Sequence, residues 1–213
     1  MGLLPPHARV LAGTRYAMLR PEFAAARPHA LERRRANWAE GLPVRRVLVS
    51  MGLTDVGGVT ARIMPAVLKV TSGCLIDIVI GSSAPSLPWL RDLASAHAGI
   101  ALHVDSTEMS SLMAAADLAI GAAGSTSWER CCLGLPTVMV VLAENQRQAA
   151  IELATMGASA AIAGPDCDAD LQTAVKRLIA SDDARFAMSQ QSALVCDGEG
   201  VGRVAAAVLQ LLA

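Results

Sequence analysis

Gly121-Ala-Ala-Gly124-Ser125-Thr126-Ser-Trp-Glu129 joins a glycine-rich turn, two hydroxyls and a carboxylate, and Asn145-Gln146 follows the next apolar run. If Gly124, Ser125 and Thr126 open a helix, their backbone N–H groups lack intrahelical acceptors. They would sit at the positive end of the helix dipole, which suits a phosphate. Glu129 lies four residues past Ser125, so it projects from the same helical face, placed to accept hydrogen bonds from sugar hydroxyls. A phosphate cradle beside a ribose-reading carboxylate predicts a nucleotide-sugar site. Plainer roles stay open: Ser125 or Thr126 as a helix N-cap, Glu129 as a first-turn acid, and Asn145-Gln146 as the cap of the next helix.

Such a site needs elements that converge. From Arg45 onward, apolar runs alternate with helical patterns across short turns. Strands are expected at 47–51, 75–80, 100–104, 118–121, 137–142 and 159–163. Helices are expected at 59–70, 87–97, 106–116 with Asp105-Ser106-Thr107 as its cap and Glu108 in its first turn, 146–156, 168–180, 183–195 and 201–212. This pattern predicts an α/β fold: a doubly wound, Rossmann-like parallel sheet with right-handed crossovers. Ligands of such sheets bind beyond the carboxyl ends of the strands. Met51–Asp55, Gly81–Ser83, Asp105–Thr107, Gly121–Ser125 and Ala143–Gln146 all fall on that rim. Asp55 is either a turn former or a site residue. Residues 13–23 read as an extended connector and 24–40 as a charged helix or linker. The sequence therefore divides into 1–43 and a nucleotide-sugar-binding domain over 44–213.

Composition bounds the alternatives. The chain is 53% hydrophobic but only 3% aromatic, which suits buried parallel strands under Ala-rich helices. A net charge of −1 argues against a nucleic-acid binder, and Arg33–Arg35 and Arg45-Arg46 read as solvated faces. The five cysteines show no metal-ligand spacing, and Cys131-Cys132 read as core packing in a reducing, cytoplasmic compartment. No metal or cofactor is expected. No apolar run is long enough to span a membrane, and the N-terminal residues lack a signal-peptide pattern. Trp128 is expected to pack in the domain, and Ser125 has no adjacent His–Asp pair that would make it a triad nucleophile.

Gly124-Ser-Thr-Ser-Trp-Glu-Arg-Cys-Cys-Leu-Gly-Leu-Pro136 with Asn145-Gln146 resembles a known enzyme family. It is the UDP-2,4-diacetamido-2,4,6-trideoxy-β-L-altropyranose hydrolases of pseudaminic acid biosynthesis. Tyr16-Ala-Met-Leu-Arg-Pro-Glu-Phe23 and Val49-Ser-Met-Gly52 with Thr54-Asp55 are similar to two further stretches of that family. More distantly, the glycine–serine loop, Glu129 and Asn145-Gln146 are similar to the nucleotide half of GT-B glycosyltransferases.

The resemblance implies metal-independent hydrolysis of a UDP-linked amino sugar to UDP and the free hexose. Gly124, Ser125 and Thr126 would hold the diphosphate, Glu129 the ribose, Asn145 and Gln146 the sugar or phosphate, and Met51 and Gly52 the diphosphate side. The family's catalytic histidine lies in an N-terminal domain, of which 1–43 would be a remnant and linker. None of His7, His29, His97 or His103 occupies its position. No catalytic residue is therefore expected in this chain, and a separate polypeptide carrying that domain is a possible partner. The chain alone is expected to turn over weakly or not at all. Leu53 replaces a family glycine and would be strained if that position required positive φ. The alternatives are the nucleotide half of a GT-B glycosyltransferase and a non-catalytic UDP-sugar-binding module.

Overall fold

The computed structural model describes residues 8–212, so the readings of Met1–His7 lie outside the described residues. Six strands form one parallel sheet: β1 Arg46–Ser50, β2 Leu75–Ile80, β3 Ile100–Val104, β4 Leu118–Ala122, β5 Thr137–Val140 and β6 Ala160–Ile162. Their spatial order is β3-β2-β1-β4-β5-β6. The helices are α1 Pro21–Ala39, α2 Val59–Leu68, α3 Leu87–Ala96, α4 Met109–Ala115, α5 Thr126–Cys132, α6 Glu144–Thr155, α7 Asp168–Ala180, α8 Asp182–Val195 and α9 Gly200–Leu212. This is the doubly wound, Rossmann-like α/β architecture that the alternation of apolar runs predicts.

The period-two alternation of each strand divides the core between two faces. Val47, Val49, Ile78, Ile80 and Ile120 pack under α2, α3 and α7. Leu48, Val79, Ala119 and Met139 face the other way, under α1, α4, α5 and α6. Because both faces are covered, the strands are apolar nearly throughout.

The strand order reverses between β1 and β4, which pair as Val47↔Leu118 through Ser50↔Gly121. Loops leaving the carboxyl ends of these two strands diverge to opposite faces and open a crevice between them. They are the Met51–Asp55 and Ala123–Ser125 loops. The topology thus brings two loops of separate sequence origin to one place.

Several local expectations are corrected. Arg33–Arg35 is no solvated face. Arg34 is buried at the α1–α4 contact and donates to the carbonyls of Leu133, Ala116 and Met113 at 3.0, 3.0 and 2.9 Å. Arg33 donates to the Ala114 and Ala116 carbonyls and pairs with Asp117 at 2.8 Å, leaving only Arg35 exposed. Helix α1 reaches these groups because Phe23, Ala30 and Arg34 repeat at helical spacing on its buried face. The helix before β4 begins at Met109, so Glu108 is its N-cap residue rather than a first-turn acid. Ser106 accepts the Glu108 N–H, while Asp105 adopts φ 51° and accepts the Ser82 N–H at 3.0 Å. Helix α6 starts at Glu144 rather than at Gln146, which places both Asn145 and Gln146 inside its first turn.

Helix α9 docks through its first residue. A methyl group on Gly200 would lie 2.1 Å from the Ala17 carbonyl oxygen and 2.8 Å from the Tyr16 carbonyl carbon. Those are backbone atoms and cannot rotate away. Gly200→Ala is expected to cost about 1–3 kcal/mol, the usual range for overpacking, read as a lower urea midpoint at unchanged m-value. An unchanged midpoint would refute the close packing. No helix among the described residues is long and apolar enough to cross a membrane.

Candidate functional site

The switch-point crevice is a cleft of about 540 Å³. Met51, Gly52, Gly124, Ser125, Thr126 and Gln146 all line it. A smaller concavity continues from it between α5 and α6, lined by Gly124, Ser125, Gln146, Trp128 and Asn145. Seven of the eight residues singled out in the sequence therefore meet here. Glu129 is the exception and lines neither hollow.

Gly52 makes the β1 side possible. Its φ is +99°, a conformation that L side chains rarely adopt, although no atom crowds the position a Cβ would take. Leu53 is not among the residues with positive φ, so the strain anticipated there does not arise. Its carbonyl accepts the Gly81 N–H at 2.9 Å, and its side chain is half exposed. Asp55 turns out to be a turn former. It is buried at φ 44°, and its Oδ1 accepts from the Thr60 N–H and hydroxyl at 2.8 and 2.7 Å. Gly52→Ala is expected to destabilise the fold by about 1–2 kcal/mol through backbone strain alone. The check is a thermal melt beside Leu53→Ala, which should move the midpoint far less.

On the β4 side, Ser125 occupies the N-cap of α5 but makes no side-chain capping bond. Ser181, by contrast, caps α8 by accepting the Ala184 N–H at 3.1 Å. The Ser125 hydroxyl is exposed on the cleft wall, where a ligand can meet it. Among the described residues no protein group accepts the N–H of Gly124, Ser125 or Thr126, whereas Ser127 and Trp128 donate back to Gly124 and Ser125. Gln146 folds back so that its Oε1 accepts the Leu142 N–H at 3.0 Å, leaving its amide nitrogen on the Gly124 side.

Beneath this loop lies Arg130, only 2% exposed. Burial lowers its pKa to about 10, so it remains charged at neutral pH. Glu129, one turn into α5, is half-buried. Burial raises its pKa, opposed by Arg20 and Arg130 and reinforced by Glu22, so the carboxylate faces the start of α1 as well as its own helix.

Several cleft residues were not singled out in the sequence, among them one charged side chain. Arg62 of α2 and Pro165, in the loop after β6, close the far wall, and Arg62 pairs with Asp166 beside it. An arginine on the exposed side of an amphipathic helix gives no sequence signal of its own; only the return of β6 beside β5 brings the 165–166 loop over it.

His29, His97, His103, Cys131 and Cys132 lie outside the cleft. His97 lies at the end of α3 with its Nδ1 3.0 Å from the Leu93 carbonyl, and His103 Nε2 is 2.8 Å from Asp77 Oδ1. His29 is exposed on α1. Cys131 and Cys132 are buried in the core under α5, and burial pushes the Cys131 thiol up to about 11, away from a nucleophilic thiolate. Trp128 is partly buried against the same core.

Residues 97–202 match the glycosyltransferase family 28 C-terminal domain. The matched segment holds β4, α5, β5 and α6, and with them every residue of the glycine-rich side of the cleft. Over 209 residues the chain is 25% identical to the spore coat polysaccharide biosynthesis protein SpsG of Bacillus subtilis, covering 96% of this chain and 59% of SpsG. Its fold superposes on the crystal structure of MurG from Acinetobacter baumannii with a TM-score of 0.64 at 18% identity, over 83% of this chain and 52% of that one. The UDP-GlcNAc 2-epimerase from Neisseria meningitidis, solved with UDP-GlcNAc bound, gives 0.64 at 15% identity over 88% and 53%. The chain thus spans between half and three-fifths of the length of these relatives. The likeness to the two solved structures is one of fold: a single Rossmann-like half of the GT-B arrangement.

Proposed function

We propose that this chain is the nucleotide-sugar-binding half of a GT-B-type protein, taking a UDP-linked sugar as ligand. One observation carries the reading: seven residues chosen for nucleotide-sugar chemistry, from three separate stretches of sequence, line adjoining hollows at the sheet's switch point. The family 28 match over the segment that holds five of the seven, and the bound UDP-GlcNAc of the meningococcal epimerase, support it. In this reading the N–H groups of Gly124–Thr126 hold the diphosphate, and Ser125 adds a hydroxyl. Glu129 takes the ribose hydroxyls by turning away from α1, and Asn145 and Gln146 meet the sugar or the distal phosphate. The chain's contribution to catalysis is to stabilise the charge that develops on the departing UDP, a task worth about 3 kcal/mol per well-aimed donor.

Transfer of the sugar to an acceptor is the favoured reaction, because the family match lies with glycosyltransferases. Hydrolysis of a UDP-2,4-diacetamido-trideoxyhexose is the second reading, with water as acceptor, and it rests on the Ser-Thr-Ser-Trp-Glu-Arg-Cys-Cys run. In either reaction the group that activates the acceptor is proposed to lie in an N-terminal half, so this chain alone should turn over little.

Calorimetric titration with UDP tests the shared premise: saturable binding is expected, and none at millimolar UDP would overturn it. UDP release from the UDP-sugar, followed with and without candidate acceptors, then separates the reactions. Release that depends on acceptor supports transfer, and release in water alone supports hydrolysis.

A further inference from the structure

Arg130 stands out among the charged groups because no carboxylate pairs with its buried guanidinium, Glu129 next to it acting only from a distance. Its guanidinium is buried, and among the described residues no carboxylate comes within ion-pair distance. Nη2 donates to the Ala122 carbonyl at 2.7 Å and the Ser127 hydroxyl at 3.1 Å, and Nη1 donates to the Thr126 hydroxyl at 3.2 Å. Its Nε has no partner at all. A methyl on Gly121 would lie 2.4 Å from Nη1, so the strand's glycine exists to let the guanidinium in.

The contrast with Arg34 is instructive. That buried arginine points all its bonds at carbonyls at or just past the C-terminal ends of α4 and α5, where the helix dipole is negative and offsets its charge. Arg130 instead runs back along α5 toward the helix start. A buried cation without a counter-charge is costly, and proteins retain such groups where a ligand completes them.

The geometry points to Arg130 as the positioning residue of the phosphate loop: its guanidinium fixes the Ala122 carbonyl and the Thr126 hydroxyl from below, and its missing counter-charge is the diphosphate of the bound nucleotide. This rests on the reading of the cleft as a nucleoside-diphosphate site. Ala122 and Thr126 both line the cleft, so the guanidinium lies one layer behind the ligand. It acts through them and through its field, which a low-dielectric setting transmits.

The test compares UDP with uridine, which has the same base and ribose but no phosphate, by calorimetry on wild type, Arg130→Met and Arg130→Lys. Arg130→Met is expected to weaken UDP at least tenfold and uridine less than twofold. Arg130→Lys, which keeps the charge but not the fork, should recover part of the UDP affinity. Equal losses for both ligands would mean a scaffold role and overturn the proposal, as would unchanged UDP affinity. If Arg130→Met does not fold, Arg130→Lys decides alone: a selective loss for UDP supports the assignment, and equal or absent losses refute it. Failure of wild type to bind UDP would instead sink the site reading itself.

Discussion

Arg34→Met is expected to lower the unfolding free energy by about 2–5 kcal/mol, the sum for buried carbonyls that lose a charged donor. Methionine nearly matches the arginine stem in shape, so the loss reports polar bonds rather than a cavity. Two carbonyls would be stranded, Leu133 after α5 and Met113 in the last turn of α4, while Ala116 would keep only its bond from Arg33. Each unsatisfied buried acceptor costs about 1–3 kcal/mol, less whatever water can reach. The arginine is thus a bolt through three elements, joining α1 to the ends of two helices. Arg33, which bonds Ala114, Ala116 and Asp117 next to it, cannot take over because its donors are already placed. Urea unfolding of Arg34→Met beside Arg35→Met is the measurement, since Arg35 is exposed and bonds only Glu32. The two variants losing the same stability, or Arg34→Met losing under about 1 kcal/mol, would sink the argument.

Arg34 also shows where sequence reading gives out. Strand positions were legible because buried parallel strands are continuous apolar runs, and the helices because their apolar residues recur at 3.6-residue spacing. The cleft was legible because glycine, hydroxyl and carboxylate residues clustered at predicted strand ends. A triple arginine, however, looks like a solvated face whatever its surroundings, since residue type says nothing about which carbonyls a neighbouring helix end leaves bare. The clue was present: Arg34 sits four residues beyond Ala30 and eleven beyond Phe23, on the apolar stripe of α1. Arg130 was hidden in the same way, inside a motif read for its neighbours. Leu53 shows the opposite error. A glycine in a related sequence suggested positive φ at 53, but the chain spends that conformation at Gly52 and leaves leucine in an ordinary one. The helix expected from Gln146 begins two residues earlier, at Glu144, and takes in Asn145, a boundary that sequence alone places only to within a few residues.

Glu129→Gln is expected to pull stability and ligand affinity in opposite directions. In the free protein the carboxylate is half-buried, and burial outweighs Arg20 and Arg130 in holding its pKa above the ordinary glutamate range. A raised folded pKa means that the native state prefers the protonated acid. The associated stability is complete below the unfolded pKa of about 4.3 and is lost as pH rises through the folded value. Glutamine imitates the neutral acid at every pH. The variant should therefore melt higher than wild type at neutral pH, and the gap should close as pH falls toward 4. Affinity should move the other way. A carboxylate accepting ribose hydroxyls makes hydrogen bonds worth about 1.5–3 kcal/mol, so UDP should bind roughly 10- to 150-fold more weakly. The ribose itself provides the control: 2′-deoxy-UDP offers one hydroxyl fewer and should lose markedly less on the same substitution. Equal losses for the two nucleotides, or UDP binding that ignores the change, would remove Glu129 from the site and leave it as a buried acid facing Arg20. A carboxylate kept partly desolvated at a cost to the fold is what a hydroxyl-reading group requires, because its lone pairs must not already be spent on water or on the protein.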